Sequence, residues 1–296
     1  MKLIIQPDAG VLPVVQAIKR AKTSIDVFIF RFDRGEVEKA LAAAAERGVT
    51  VRALIANTNR GGEAKLRKLE QRMLAAGLNV SRSDDELLRY HAKYMICDHT
   101  LHLLGFNFTK LDIDRSRSFA ISTKNHKAVQ EASKLFEADV TRQPYTPAKS
   151  NLVVSPETSR EMLGAFIKGA RKELVIYDAK VHDPAMIKLL KDRVDKGVKV
   201  RVLGTVRGKE GGIEAYPLGG MRLHVRAIIR DGTRAFVGSQ SLRKEELDRR
   251  REVGLIVTNP AVARKLLQIF EVDWEESAKK KPKDEKDKKS EKASAA

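Results

Sequence analysis

Two short stretches of this chain carry the same reactive side chains in the same order. His91-Ala92-Lys93-Tyr94-Met95-Ile96-Cys97-Asp98 recurs later as His224-Val225-Arg226-Ala227-Ile228-Ile229-Arg230-Asp231. A neutral imidazole is a nucleophile and a proton carrier near pH 7, and a cation two residues on can hold an anion beside it. A single histidine of this kind is more often a half-buried strand residue. Two of them, at equivalent places in a repeated unit, can face one another across a phosphate.

The repeat extends well beyond these stretches. Leu3-Ile4-Ile5-Gln6-Pro7-Asp8 stands over Leu152-Val153-Val154-Ser155-Pro156-Glu157. The same offset holds at Ile18-Lys19 over Ile167-Lys168, and at Arg47 to Arg52 over Lys196 to Arg201. This is an internal duplication. Each copy opens on a short apolar strand, followed by a helix ending near Lys22 or Lys172 and a strand at Ile25–Phe30 or Leu174–Tyr177. A second helix, Glu36 to Glu46 or Ala185 to Asp195, stops at Gly48 or Gly197 as a glycine just past a helix end should. Strands follow at Val49–Ile55 and Val198–Leu203. Strands alternating with helices predict an α/β fold with helix-covered sheets. The expected units are residues 1–146 and 147–276, followed by a Lys-rich disordered tail, 277–296. The copies differ in the middle. The first carries an extra helical stretch from Glu63 to Ala76, and the second a basic, glycine-rich run from Gly204 to Gly212. That run reads as a connector in preference to a phosphate-covering loop.

Alternation along a strand puts His91 and Lys93 on one face with Met95 and Cys97, and His224 beside Arg226 in the second copy. Asp98-His99 and Asp231-Gly232 read as tight hairpin turns, whose aspartates bond locally and support the hairpin. Return strands Leu101–Leu104 and Arg234–Val237 then reach Gly105 and Gly238.

Composition narrows the partners. The chain has 296 residues, 42% of them hydrophobic, which is enough for substantial cores. A net charge of +18 fits nucleic acid, an anionic membrane surface or a phosphate-bearing substrate, and equally a well-solvated basic surface. Cys97 is the single cysteine, so an intrachain disulfide and a four-cysteine zinc site are excluded. No apolar run approaches the ~18 residues that span a bilayer. The N-terminus lacks a secretory pattern, because charge and proline arrive too early. The expected location is cytoplasmic, with any membrane contact peripheral.

The pattern His-x-Lys/Arg-x4-Asp-x6-Gly, once in each of two α/β halves, resembles the phospholipase D superfamily over nearly all of residues 1–275. The resemblance implies two tandem α/β domains with mixed sheets flanked by helices, related by a pseudo-twofold axis. It implies one active site between them and no metal or other cofactor. It makes His91 the nucleophile that forms a phosphohistidine and His224 the general acid. Lys93 and Arg226 become phosphate clamps. Ser239, in Gly238-Ser239, and Asn107 become further phosphate ligands, and Glu252 becomes the carboxylate that supports His91 from the other half. Asp98 and Asp231 complete the two motifs as catalytic candidates. Three departures stand out. Arg226 replaces a lysine, Gly105 lacks the following serine, and Ser118 occupies the first-half carboxylate position, with Asp112 and Asp114 nearby as substitutes. The implied activity is cleavage or transfer of a phospholipid head-group phosphodiester by a monomer. The alternatives are a metal-independent nuclease and a non-catalytic lipid- or nucleic-acid-binding member. The low aromatic content, 5%, tells against the base-stacking platforms of a single-strand nuclease.

Overall fold

The computed structural model describes residues 1–59, 62–208 and 211–279. In the first half come β1 (Lys2–Gln6), α1 (Leu12–Arg20), β2 (Ser24–Ile29), α2 (Gly35–Glu46), β3 (Thr50–Ile55), α3 (Glu63–Ala75) and β4 (Asn79–Arg82). Then follow β5 (Arg89–Tyr90), β6 (Tyr94–Cys97), β7 (Thr100–Leu104), α4 (Lys110–Asp114), β8 (Ser116–Thr123) and α5 (His126–Thr141). The second half repeats the order with β9 (Leu152–Ser155), α6 (Ser159–Lys168), β10 (Glu173–Val181), α7 (Pro184–Val194), β11 (Lys199–Val206) and β12 (Glu214–Tyr216). It continues with β13 (Arg222–Leu223), β14 (Arg226–Arg230), β15 (Arg234–Gly238), α8 (Lys244–Asp248), β16 (Arg250–Val257) and α9 (Pro260–Lys279). Helices α2 and α7 end as expected. Gly48 and Gly197 take φ +84 and +79, and Val49 and Val198 donate back to Ala44 and Arg193.

Each half contributes one mixed sheet. The first runs β1-β8-β7-β6-β2-β3-β4 and the second β12-β11-β10-β14-β15-β16, with β9 on β16. The outer faces are apolar and carry helices: α1, α2 and α3 cover the first sheet, α6 and α7 the second. The inner faces share one core that draws Phe28, Tyr94 and Phe119 from the first sheet and Tyr177 and Val237 from the second. Phe136 of α5 and Phe270 of α9 fill the space between. Two buried ion pairs lock this centre reciprocally. Arg117 on β8 reaches Asp273 on α9 at 2.8 Å, and Arg251 on β16 reaches Asp139 on α5 at 3.1 Å. Removing one partner of such a pair leaves a buried charge, at a cost of about 3–5 kcal/mol.

The halves also exchange backbone. β5 pairs in parallel with β16 of the second sheet, and β13 with β8 of the first. Each two-residue strand lies just ahead of one motif histidine, so each histidine is hung from the opposite half.

The structure departs from expectation in three places. His91 and Lys93 do not sit on one continuous strand with Met95 and Cys97, because residues 91–93 form the crossover between β5 and β6. The second hairpin is one residue longer: Cys97 pairs Thr100, whereas Arg230 pairs Arg234. Beyond it Gly105 donates to Phe119 O just as Ser239 donates to Val253 O, so Gly105 corresponds to Ser239 and not to Gly238. Finally, α9 runs to Lys279, and buried Ser277 accepts a bond from Gly219 N at 2.9 Å. The first residues of the expected tail are therefore helical, and residues 280–296 lie outside the described residues, as do Lys209 and Glu210 of the glycine-rich run. Among the described residues no helix is long and apolar enough to cross a membrane.

Candidate active site

The crossover fixes each motif by backbone bonds to the other half. His91 N donates to Arg251 O at 2.8 Å, and His224 N to Arg117 O at 3.2 Å. Both rings line one cleft of about 230 Å³ between the sheets.

His91 Nδ1 lies 2.9 Å from both carboxylate oxygens of Glu252. Its ring packs edge-on against Phe30, centroid to centroid 4.4 Å. With Nδ1 engaged, Nε2 is the nitrogen left for chemistry. Burial, then the charge of Lys93, pushes the His91 pKa well below its usual range, which keeps the ring neutral. Glu252 is fully buried, and that burial raises its carboxyl to about 7. The carboxylate thus crosses from the second half to the first-half histidine, in the manner the resemblance implies.

His224 has a different partner. Its Nε2 lies 3.1 Å from Asp112 Oδ2, while Ser118, the residue at the expected carboxylate position, is buried with no hydrogen-bond partner for its hydroxyl among the described residues. Asp112 is the substitute, and Asp114 pairs with Arg34 instead. Asp112 sits on α4, capped by the Thr109 side chain, and accepts Asn107 Nδ2 at 2.6 Å and Arg222 Nη1 at 2.6 Å. Burial opposes its charge, but His224, Asn107 and Arg222 prevail and hold its pKa down. Burial pushes the His224 pKa well below its usual range, with Asp112 pulling the other way.

The two motif cations behave alike and unlike simple clamps. Lys93 Nζ donates to His91 O at 2.5 Å, and Arg226 Nη1 to His224 O at 2.6 Å. Lys93 is only 3% exposed and lies beneath Phe30, and burial lowers its pKa to about 7. Arg226 lines the cleft and is backed by Asp178, Nε to Oδ1 3.3 Å. Ser239 and Asn107 also line it. Asp98 and Asp231 do not, which corrects their place among the catalytic candidates. Both turn residues take a left-handed φ, +50 and +52. Asp98 accepts Lys22 N, Thr23 N, Ser24 N and Thr23 Oγ1, and Asp231 accepts Arg171 N, Lys172 N and Glu173 N. They pin each hairpin to the strand beside it, at the end remote from the histidines.

Sequence reasoning missed most of the charge in the cleft. Arg31, Arg89, Arg222, Arg243 and Arg250 join Arg226 in its lining, against the carboxylates Glu246 and Glu252 alone. Arg89 and Arg222 were legible, since each stands two residues before a motif histidine and so repeats with it. Arg89 and Arg250 are direct cross-strand partners, and Arg250 Nη1 donates to Glu246 Oε1 at 2.7 Å.

Similarity to known proteins agrees with this geometry. The family model described as "Cardiolipin synthase, PLD-like domain" matches residues 14–140 and 163–274. A polyphosphate kinase of Helicobacter pylori (strain ATCC 700392 / 26695) is 22% identical over 306 residues, covering 94% of this chain and 45% of its own. The chain thus spans about half the length of the curated relatives it matches. The crystal structure of polyphosphate kinase from Porphyromonas gingivalis superposes with a TM-score of 0.76 at 20% identity, over 92% of this chain and 50% of that one. Phosphatidylserine synthase from Haemophilus influenzae Rd KW20 gives 0.72 at 11% identity, over 93% and 86%. At these identities the structures speak to the fold alone. The family match takes in both copies of the duplicated unit, and the chain belongs to the phospholipase D superfamily.

Proposed function

We propose that the chain transfers a phosphoryl or phosphatidyl-type group through a phosphohistidine on His91. Nε2 of the neutral, Glu252-oriented imidazole attacks phosphorus, and the bond from phosphorus to the leaving oxygen breaks. His224, held at Nε2 by Asp112, has Nδ1 left to protonate that oxygen. An entering phosphate adds negative charge beside His224 and raises its pKa toward the value an acid needs. In the second half-reaction His224 takes a proton from water or another acceptor hydroxyl. That oxygen displaces His91 from phosphorus and the free imidazole returns. Arg226, Arg222, Arg89 and Arg250 stabilise the non-bridging oxygens. The observation carrying this reading is the His91–Glu252 pair facing His224–Asp112 across one arginine-lined cleft.

For the substrate, the initial expectation is a phospholipid head group. A second reading is favoured by the charge of the cleft and by its sequence relatives, and we give it precedence: a substrate with several adjacent phosphates, as in polyphosphate. A lipid phosphodiester brings one negative charge, whereas six arginines line this cleft against Glu246 and Glu252, with Asp112 and Asp178 behind Arg222 and Arg226, which still leaves cations in excess. Phe30 is the one large apolar side chain in the lining, and it already carries His91, Lys93 and Arg89 against its ring. That leaves little platform for a nucleobase or an acyl chain. The test is turnover of bis(p-nitrophenyl) phosphate in EDTA by the wild type, His91→Ala and His224→Ala, with acid-labile phosphoenzyme trapped and mapped. Both substitutions are expected to abolish turnover, and label on any residue but His91 removes the mechanism. Long-chain polyphosphate, phospholipid vesicles and DNA assayed side by side then rank the substrates.

A further inference from the structure

The duplication permits a comparison of the two copies position by position, and on the outer face of the first sheet they differ in kind. In the second copy the space between α6 and the sheet is closed. Phe166 of α6 and Phe236 of β15 are buried in the apolar core, with Ile256 of β16 packed against it. Arg230 lays its guanidinium over the Phe166 ring at 4.7 Å and donates to Phe166 O at 3.1 Å. In the first copy the same four places hold Ala17, His102, Ser122 and Cys97. The strand equivalences follow from register, since His102 pairs with Ser122 and Met95 just as Phe236 pairs with Ile256 and Ile228. Each large side chain that fills the second copy is smaller or more polar in the first, and a cavity of about 550 Å³ opens there between α1 and β1, β6, β7 and β8. That is within the ~300–1,000 Å³ typical of small-molecule sites. None of its lining residues lines the catalytic cleft.

The polar lining is also particular to this copy. Lys2, Arg20 and Lys124 ring the cavity, where the second copy has Asn151, Gly169 and Thr258. The one carboxylate in the lining, Asp98, is already committed to four donors in and around the α1–β2 connection. His102 Nδ1 is bonded to Ser122 Oγ at 2.8 Å, which leaves Nε2 without a hydrogen-bond partner among the described residues. Burial lowers the His102 pKa to about 4, so it offers a neutral hydrogen-bonding edge. Beneath these groups Ile4, Pro13, Ala17 and Ala21 form an apolar floor.

We propose that this cavity is a second ligand site, taking a small organic anion whose acidic head meets Lys2, Arg20 and Lys124 and whose apolar body lies over Ala17 and Ile4. A phosphate monoester and a carboxylate share this chemistry. The full chain, labelled at histidine side chains, is titrated by NMR with phenyl phosphate, benzoate and uncharged benzyl alcohol. The expected result is a saturable shift of the His102 ring with at least one of the two anions, at least tenfold weaker with the alcohol. The anion that binds more tightly identifies the head group. Two variants locate the site. Ala17→Phe combined with His102→Phe imports the filling of the second copy, so binding is read there from the His99 ring and is expected to vanish. Arg20→Glu combined with Lys124→Glu changes only exposed side chains and should weaken binding at least tenfold, which decides the matter if the filled variant does not fold. Absence of a saturable His102 shift, shifts confined to His91 and His224, or binding unchanged in Arg20→Glu/Lys124→Glu overturns the proposal. None of these results depends on whether the catalytic cleft turns over a substrate.

Discussion

Glu252→Gln separates catalysis from stability in a way that the structure makes quantitative. Burial raises the Glu252 carboxyl from the ordinary 4.5 to about 7. Between these values the folded chain keeps a proton that the unfolded chain has released, so stability falls as pH rises through that window. A rise of that size corresponds to about 3 kcal/mol, lost by the time pH exceeds the folded value. Glutamine has the same shape and no charge. The variant is therefore expected to match the wild type near pH 4.5 and to exceed it by about 3 kcal/mol at pH 8, read from urea unfolding at both pH values. Catalysis should move the other way. A neutral amide cannot support charge on His91, and an amide N–H pointed at Nδ1 selects the tautomer whose Nε2 bears the proton. The corresponding change in a serine-protease triad costs about 10⁴ in turnover, and a loss on the order of 10³ to 10⁴ is expected here. A variant that keeps activity within tenfold of wild type, or that is less stable at pH 8, refutes the account of Glu252.

Asp112→Asn is expected to lower turnover by about 10²-fold, with a larger loss for poor leaving groups than for p-nitrophenol, since it weakens the acid and not the nucleophile; equal losses across a leaving-group series would contradict this. The pH dependence of kcat/KM should show a narrow maximum. Activity rises through about 7 as Glu252 ionises and falls as Lys93, also near 7, loses its charge. Lys93→Arg, which mirrors Arg226 and stays charged, should hold a larger fraction of its own pH 7 activity at pH 9 than the wild type does. An alkaline limb unchanged in this variant would assign it to another group.

What could be read from sequence divides along a physical line. Elements fixed by local chemistry were legible: the helices closed by Gly48 and Gly197, the Asp98 and Asp231 turns, and the paired histidines themselves. What depends on contact between distant segments was not. Nothing in the alternation of residues 91–97 reveals that Tyr90 pairs with Arg251 of the other half, which is why a crossover read as a continuous strand. Position 105 is another case. A Cβ there would stand 2.6 Å from Phe119 O and 2.9 Å from Val225 Cγ2, so the serine is missing because the second motif passes over that spot. The position corresponding to Asp112 in the other copy is also acidic, Glu246, but it accepts from Arg250 at 2.7 Å, so the repeat alone does not reveal that Asp112 meets His224.

That asymmetry also bears on which histidine does what. A symmetric duplication would give both imidazoles the same carboxylate and leave the roles undecided. Here His91 meets a carboxyl whose pKa is raised to about 7, and burial with the charges of Lys93 and Arg250 keeps its ring neutral before attack. His224 faces a carboxylate kept ionised by Asn107 and Arg222, which rewards a protonated ring once a phosphate offsets the surrounding arginines. The roles proposed for His91 as nucleophile and His224 as acid thus match where each carboxylate sits. Moving the second carboxylate from β8 to α4, six positions upstream of Ser118, preserves charge beside His224 while changing the ring nitrogen it meets: Nε2 there, Nδ1 at His91. The two half-sites are therefore not interchangeable, and placing the carboxylate of one copy in the other should impair the reaction instead of restoring a symmetry the chain has abandoned.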